Sequence, residues 1–395
     1  MDKRLPPLLV AVFINIAGFS LILPLLPFYG QVFDAGPFGI ALLFAAYSFG
    51  NVFGEIHWGR QSDIWGRRKV LALTTCVAGL SYFAFAFAPT LWAAILIRVV
   101  SGFFSGTMSV AQGFIADVST PEKRAKTMGL FGAAFSMGFA FGPVIGGLFA
   151  GEEVAAASFR LPIFIAGGFS LIASLWCLTV LRDAIPPKGK GAPLPRYSDA
   201  FRFVGSQPVL LRLFIIGFFG IAAFASMEAI YGLWSEENFG WTAHDLGWAF
   251  LAIGSGGFIA QVFLIGPLVA RFGEARVIAM GLALLSLSML LQPVIRLPIS
   301  GVLLMGLLMA GHSLAFPTAG ALISRNTPPE RQGSTMGLLM ATNAFSRIVA
   351  PPLFGMIYGS IAHDAPWYIG AAMIALVIIL ALQLVKHTRP ARIVN

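Results

Sequence analysis

The sequence predicts an all-α membrane protein with about twelve transmembrane helices in two six-helix repeats, and three observations lead there. The first is composition: of 395 residues, 57% are hydrophobic and only 11% are charged, with a mean hydropathy of +0.83. A soluble domain carries roughly 25% charged residues, so this much apolar surface finds a place in a bilayer and none around a soluble core. The second is a succession of apolar stretches, each long enough to cross the hydrocarbon as a helix of about 20 residues. The third is that basic residues gather on alternate connectors, as they do when those connectors share one side of a membrane.

In order, the stretches are 8–29, 38–58, 70–88, 91–115, 126–149 and 160–181, then 209–234, 245–268, 276–295, 299–323, 333–358 and 366–386. They are too long and too continuously apolar for barrel strands, and helices satisfy their own backbone in lipid. The first follows Met1-Asp2-Lys3-Arg4 and resembles a signal peptide. Its length, and the lack of an A-x-A site after it, predict a retained helix. Between the sixth and seventh stretches lies the longest polar run, holding Pro186, Pro187, Pro193 and Pro195 among basic residues. The predicted organisation is therefore an N-terminal six-helix half over 1–181, a cytoplasmic linker over 182–208, and a C-terminal half over 209–395 that ends in a short cytoplasmic tail.

Assigning the N-terminus and every second loop to one side gathers all but four of the 26 Lys and Arg residues there. Arg160 and Arg296 fall opposite, and Arg98 and Arg347 fall inside helices. The opposite side holds acids, among them Asp34, Glu152, Glu153, Glu236, Glu237, Asp245 and Asp364. This asymmetry predicts an inner-membrane protein with both termini in the cytoplasm, which requires an even helix count. Trp92, Trp234, Trp241 and Trp367 fall near the outer boundary, where an aromatic belt is expected. The formal charge of +9 lies in short runs between apolar stretches and not along one face, which argues against nucleic acid. Cys76 and Cys177 lie within apolar stretches, so neither a disulfide nor a metal site is expected.

The halves repeat. Thr120-Pro121-Glu122-Lys123-Arg124-Ala125-Lys126-Thr127-Met128-Gly129-Leu130 matches the stretch from Pro328 to Leu338. Gly59 and Gly66, after the second stretch, match Gly266 and Gly273 after the eighth. Two parallel repeats of this kind place a substrate site where they meet, near the midplane.

Three motifs carry a resemblance. Gly59-Arg60-Gln61-Ser62-Asp63-Ile64-Trp65-Gly66-Arg67-Arg68-Lys69 resembles the G-x-x-x-D-x-x-G-R-[RK] loop of the major facilitator superfamily. Its glycines permit a tight turn and close helix approach. Arg98-x-x-x-Gly102 resembles that family's buried-arginine motif, used by exporters in proton coupling. An arginine inside a span needs a polar cavity or a partner, unless it snorkels to the interface about two turns away. Gly138-Phe139-Ala140-Phe141-Gly142-Pro143-Val144-Ile145-Gly146-Gly147 resembles the motif associated with its antiporters. There Gly138 and Gly142 allow close helix packing, and Pro143 removes a backbone donor.

The resemblance covers essentially the whole chain. It is strongest to the proton-coupled drug-efflux branch, and within that to the tetracycline-efflux proteins. It implies the major facilitator fold, a monomer, and a loop that latches the two halves on the cytoplasmic side. In that latch Arg67 would pair with Asp117, beside Gly59, Asp63, Gly66, Arg68 and Glu55. Those proteins carry membrane-embedded aspartates where this chain has Asn15, about Ser81 and about Leu284. That departure counts against a metal–tetracycline chelate as cargo.

A proton-coupled carrier needs a group that titrates within the membrane. Glu228 in the seventh stretch is the first candidate, with Arg98 and His312 as further coupling residues. Asn15, Gln112, Gln261 and Arg347 are candidates for the substrate cavity. Two intramembrane arginines against few membrane acids suggest amphipathic cargo, neutral or anionic. The function implied is export of small drug-like compounds in exchange for protons by alternating access. The alternative is export or facilitation of a metabolite, sugar or lipid on the same fold. The expected partners are that small molecule, protons and membrane lipids. No cofactor is expected beyond the proton gradient. An enzyme is not expected, because no nucleophile, phosphate loop or metal cluster emerges, and His57, His244, His312, His363 and His387 offer no ligand spacing.

Overall fold

The chain's computed structural model describes residues 4–119, 121–151, 153–182, 197–328 and 331–385, without the side chains of 121–126 and 197. Several features read from sequence lie outside these residues. They are Lys3, Glu152, the linker's Pro186, Pro187, Lys188, Lys190, Pro193, Pro195 and Arg196, part of the repeated block (Thr120, Pro329, Glu330), and the tail's Lys386, Arg389 and Arg392.

Twelve long helices make up most of the described residues. They are α1 Leu5–Gln31, α2 Pro37–Trp65, α3 Arg67–Ala86, α4 Leu91–Val118, α5 Pro121–Leu148 and α6 Ala156–Thr179, then α7 Pro208–Phe239, α8 Ala243–Phe272, α9 Glu274–Leu291, α10 Pro298–Arg325, α11 Gln332–Ser360 and α12 Ala365–Val385. Eleven are long and apolar enough to cross a membrane on length and composition. The twelfth, α11, is as long as α2 at 29 residues, but Thr342, Asn343, Ser346 and Arg347 lower its hydropathy. The chain is thus an all-α, multi-pass membrane protein. Large apolar side chains outside the packed core, such as Phe53, Leu80, Leu96, Leu303 and Leu376, are more than half exposed, as a lipid solvent permits.

The helices group into two units. The first is Met1–Pro193 with Trp241–Leu251, and the second is Leu194–Gly240 with Ala252–Asn395. In the first, α1 packs on α5 and α6, α3 on α6, and α2 on α4. In the second, α7 packs on α11 and α12, α9 on α12, and the π turn of α8 on α10. The same positions pair in both, so the sequence repeat is a packing repeat. It reaches the backbone as well. Gly66 (φ 95°, ψ 142°) turns α2 into α3 and Gly273 (φ 81°, ψ 158°) turns α8 into α9, a region of conformation open to glycine alone. A short helix, Tyr197–Ser206, occupies part of the stretch read as linker and packs on α7 and α11 through buried Ala200 and Val204.

Three of the twelve helices are broken. Pro24 and Pro27 interrupt α1 with a 3-10 turn at Leu23–Leu25, because proline supplies no backbone donor. Phe104–Gly106 divides α4 into Leu91–Phe103 and Thr107–Val118. A π turn, Ala260–Leu264, lies within α8.

The expected aromatic belt needs correction. Trp92 is 72% exposed, but Trp234 and Trp367 are completely buried. Their rings meet each other and Tyr231, and the Trp234 indole donates to Asp364 at 2.9 Å. They belong to the core of the second unit, because α7 is buried on all sides from Gly220 to Gly232.

Candidate functional site

In the first unit, glycines set the spacing on which the polar groups depend. A Cβ on Gly50, Gly54 or Gly102 would fall about 2 Å from a backbone oxygen of the facing helix: 2.0 Å from Val99 O, 2.1 Å from Phe103 O and 2.1 Å from Tyr47 O. So α2 and α4 touch backbone to backbone. The same holds between α5 and α1. A Cβ on Gly138 would lie 2.8 Å from Phe13 O, on Gly142 2.4 Å from Ala17 O, and on Gly146 2.1 Å from Leu21 O. The Ser20 hydroxyl donates across this seam to the Gly138 carbonyl at 3.0 Å. Gly147 faces elsewhere, against Gly247. The helix continues through Pro143.

Along the α2–α4 seam runs a ladder of polar side chains. Arg98 is buried, donates from Nε to the Leu43 carbonyl at 3.2 Å, and lies over the Tyr47 ring at 4.7 Å. It is therefore held inside the unit, not extended to an interface. Below it, Asn51 donates to Ser105 Oγ at 2.8 Å and to Glu55 at 3.4 Å. Glu55 in turn accepts from the Ser109 backbone N–H at 2.7 Å. Gln112 is exposed on the same half of α4, and Asn15 is half-buried on α1.

At the end of the ladder Arg67 gathers the α2–α3 turn. It pairs with Asp63 at 2.5 Å and with Asp117 at 3.1 Å, and donates to the Ser62 hydroxyl at 2.5 Å. Gly113 makes room, since a Cβ there would lie 2.6 Å from the guanidinium carbon. Arg68 donates to the Leu178 carbonyl of α6. Gly59 lies against Ser109, and Gly66 supplies the turn. Glu55, one turn before Gly59 on α2, makes its described bonds to Asn51 of α2 and to Ser109 of α4, the residue that Gly59 also lies against.

In the second unit, Glu228 of α7 accepts from Arg347 of α11 at 3.2 Å. The Glu228 side chain is 6% exposed and the Arg347 side chain 37%. A carboxylate inside a span is costly unless paired, and this pair also leaves guanidinium N–H donors open to a ligand. On α10, His312 lies between the rings of Phe224 and Phe316 at 4.2 and 4.5 Å. Its Nε2 is buried without a hydrogen-bond partner among the described residues. Phe224 precedes Glu228 by one turn, so His312 and Glu228 share one face of α7. Gln261 falls within the π turn of α8, a geometry that often marks functional positions.

A second polar group closes the far end of α7. Glu237 accepts from Tyr358 at 2.7 Å and lies 2.5 Å from His363 Nδ1, while Asp364 accepts from Trp234 and Arg296. Sequence alone placed Glu237 and Asp364 only among the acids of one side. Pairs joining residues more than a hundred positions apart, such as Glu228 with Arg347, leave no local signal.

The sequence matches the profile of one family, described as Major Facilitator Superfamily, over residues 8–242 and 220–394. It is 29% identical to the class B tetracycline resistance protein of Escherichia coli, covering 95% of this chain and 94% of that protein. It is 30% identical to the class G tetracycline resistance protein of Vibrio anguillarum, covering 92% and 93%, and 26% identical to a quinolone resistance protein of Staphylococcus aureus, covering 96% of each. Among solved structures, a nucleoside transporter superposes with a TM-score of 0.79 at 16% identity, over 97% of this chain and all of that one. A human organic anion transporter superposes with a TM-score of 0.72 at 20% identity, over 96% and 98%.

Proposed function

The chain belongs to the major facilitator superfamily, and from that premise we propose that it exports small amphipathic, drug-like compounds in exchange for protons, by alternating access across the cell's inner membrane with both termini in the cytoplasm. The observation that carries this reading is the buried Glu228–Arg347 pair. The charge of a carboxylate this enclosed is favoured by the cation it engages. A proton on Glu228 frees Arg347, and an anionic or strongly polar group on the cargo competes for the same guanidinium. Proton and cargo thus act on one bond, which is what exchange requires.

His312 and Gln261 supply polar groups on α10 and α8 of the same unit, and Arg98 is the corresponding buried cation of the first unit. The resistance proteins among its relatives support drug-like cargo. Asn15, where tetracycline carriers have an acid, points away from a metal chelate.

A growth panel tests the reading. Cells with and without the protein are exposed to amphipathic toxic compounds, with and without a protonophore. Protection that disappears with the protonophore is expected. Protection that persists without a proton gradient, or a preference for multivalent cations, would remove the proposal.

A further inference from the structure

The break in α4 leaves backbone groups that a helix normally satisfies for itself. The first half-helix ends at Phe103 and the second begins at Thr107. Both loose ends are met from one face of α2. The Trp58 indole donates to the Phe103 carbonyl at 2.8 Å. Glu55 accepts from the Ser109 N–H at 2.7 Å, and the Met108 N–H lies within its reach. Asn51 adds a staple to Ser105 Oγ in the break itself, and Ser109 Oγ returns a bond to the Glu55 carbonyl. An anion at the start of a helix is favoured by the free N–H groups and by the helix dipole. A protonated carboxyl forfeits much of that advantage.

Among the charged and titratable groups around Glu55, Tyr47 of α2 interacts with it electrostatically and bonds to Ser105 in the break, and no cation pairs with it among the described residues. Arg98 of α4 is engaged with Leu43 and Tyr47. Asp117 of α4 and Arg67 of α3 are engaged with each other and with Asp63, and Arg68 with Leu178. Lys69, Cys76 and Tyr82 on α3 and Tyr29 on α1 have no described bond to Glu55. His57 on α2 packs on Trp58 and Phe103. Among the described residues Glu55 makes no ion pair, and its charge is met by the Ser109 and Met108 amide N–H groups, the Ser109 hydroxyl and Asn51.

We infer that Glu55 is a second proton-binding carboxyl of this transporter: ionised, it caps the half-helix that restarts at Thr107, and protonated, it releases that half-helix from α2. The half-helix carries Gly113 and Asp117, which hold Arg67. A proton taken up at Glu55 therefore loosens the α2–α3 turn cluster without any titration of that cluster. The transport role rests on the proton-driven reading above. The switch itself does not, and it can be read without cargo.

The test is hydrogen exchange of residues 107–118 in the full-length protein in detergent, corrected for intrinsic rates, at about pH 8 and about pH 5, alongside an infrared titration of protonated carboxyl bands. The wild type is expected to lose protection at the lower pH by roughly five- to thirty-fold as a carboxyl band appears. Glu55→Gln should show the lower protection at both pH values and lack that band, and Glu55→Asp should keep the pH dependence. Equal wild-type protection at the two pH values, with Glu55→Gln lowered at both, would mean a fixed structural cap and overturn the switch. Unchanged protection in Glu55→Gln would overturn it too. Should Glu55→Gln fail to fold, the wild-type exchange and infrared curves decide: protection lost with the carboxyl band supports the switch, and either without the other overturns it. Repeating the measurement in Glu228→Gln separates the two carboxyls. A failed role for Glu228 leaves these readouts intact, and a failed switch leaves the transport result standing.

Discussion

Replacing Arg347 with alanine tests whether the Glu228 pair is an energetic bond or a geometric coincidence. At 3.2 Å, two unit charges attract by about 5 kcal/mol at an effective dielectric near 20. The Arg347 side chain is 37% exposed, and solvent screening together with desolvation offsets most of that attraction. Removing Arg347 also leaves the Glu228 side chain, only 6% exposed, without its cation. We therefore expect Arg347→Ala to destabilise the second unit by about 1–3 kcal/mol. Glu228→Gln alone should do less, because a neutral amide tolerates burial better than a charge. The double variant should recover most of the loss. The assay is a double-mutant cycle on unfolding in detergent, followed by tryptophan fluorescence. Trp234 and Trp367 lie in the same unit on α7 and α12 and report its loosening. Additivity of the two single variants to within about 0.5 kcal/mol would refute a direct coupling.

Other consequences concern backbone and packing. Gly142→Ala would place a methyl 2.0 Å from Ser20 Oγ and 2.4 Å from a carbonyl of α1, so it should reduce the yield of monodisperse protein in size exclusion. Gly132→Ala on the same helix meets nothing within 4 Å and should be neutral or stabilise by about 0.5–1 kcal/mol. Gly66→Ala and Gly273→Ala should each lower stability by about 1–3 kcal/mol through positive φ, visible as a reduced melting temperature. Gly266→Ala, which meets nothing within 4 Å, should not. Trp234→Phe keeps one aromatic ring but removes the indole donor to Asp364 and leaves space at a fully buried site, and should cost about 1–3 kcal/mol in the same unfolding assay.

The long helices were legible because lipid demands length and apolarity together, and few other structures supply both. The helix α11 was read by the same rule, over 333–358, although its polar stripe of Thr342, Asn343, Ser346 and Arg347 weakens the apolar signal. Arg67 with Asp117 was implied by the family resemblance of the 59–69 motif, and the glycines of α5 by a four-residue period that is itself the contact. The partners of Glu55 were not legible. Neighbours along a chain suggested the turn cluster, but the side chain follows the face of α2, and that face meets the break in α4. Nothing in Phe104, Ser105 or Gly106 announces such a break, because a helix tolerates all three when its neighbour supplies the missing bonds. Trp234 and Trp367 were misplaced for a related reason. Their residue type and depth fit a belt, but only packing shows that α7 has no lipid face along that stretch.

If the proton acts at Glu228, proteoliposomes show it, with the compound identified by the growth panel and an imposed pH gradient. Wild-type protein should accumulate the compound only with the gradient, and Glu228→Gln should lose that accumulation while still exchanging labelled for unlabelled compound at equal pH. Gradient-driven accumulation that survives unchanged in Glu228→Gln would mean that the proton acts elsewhere.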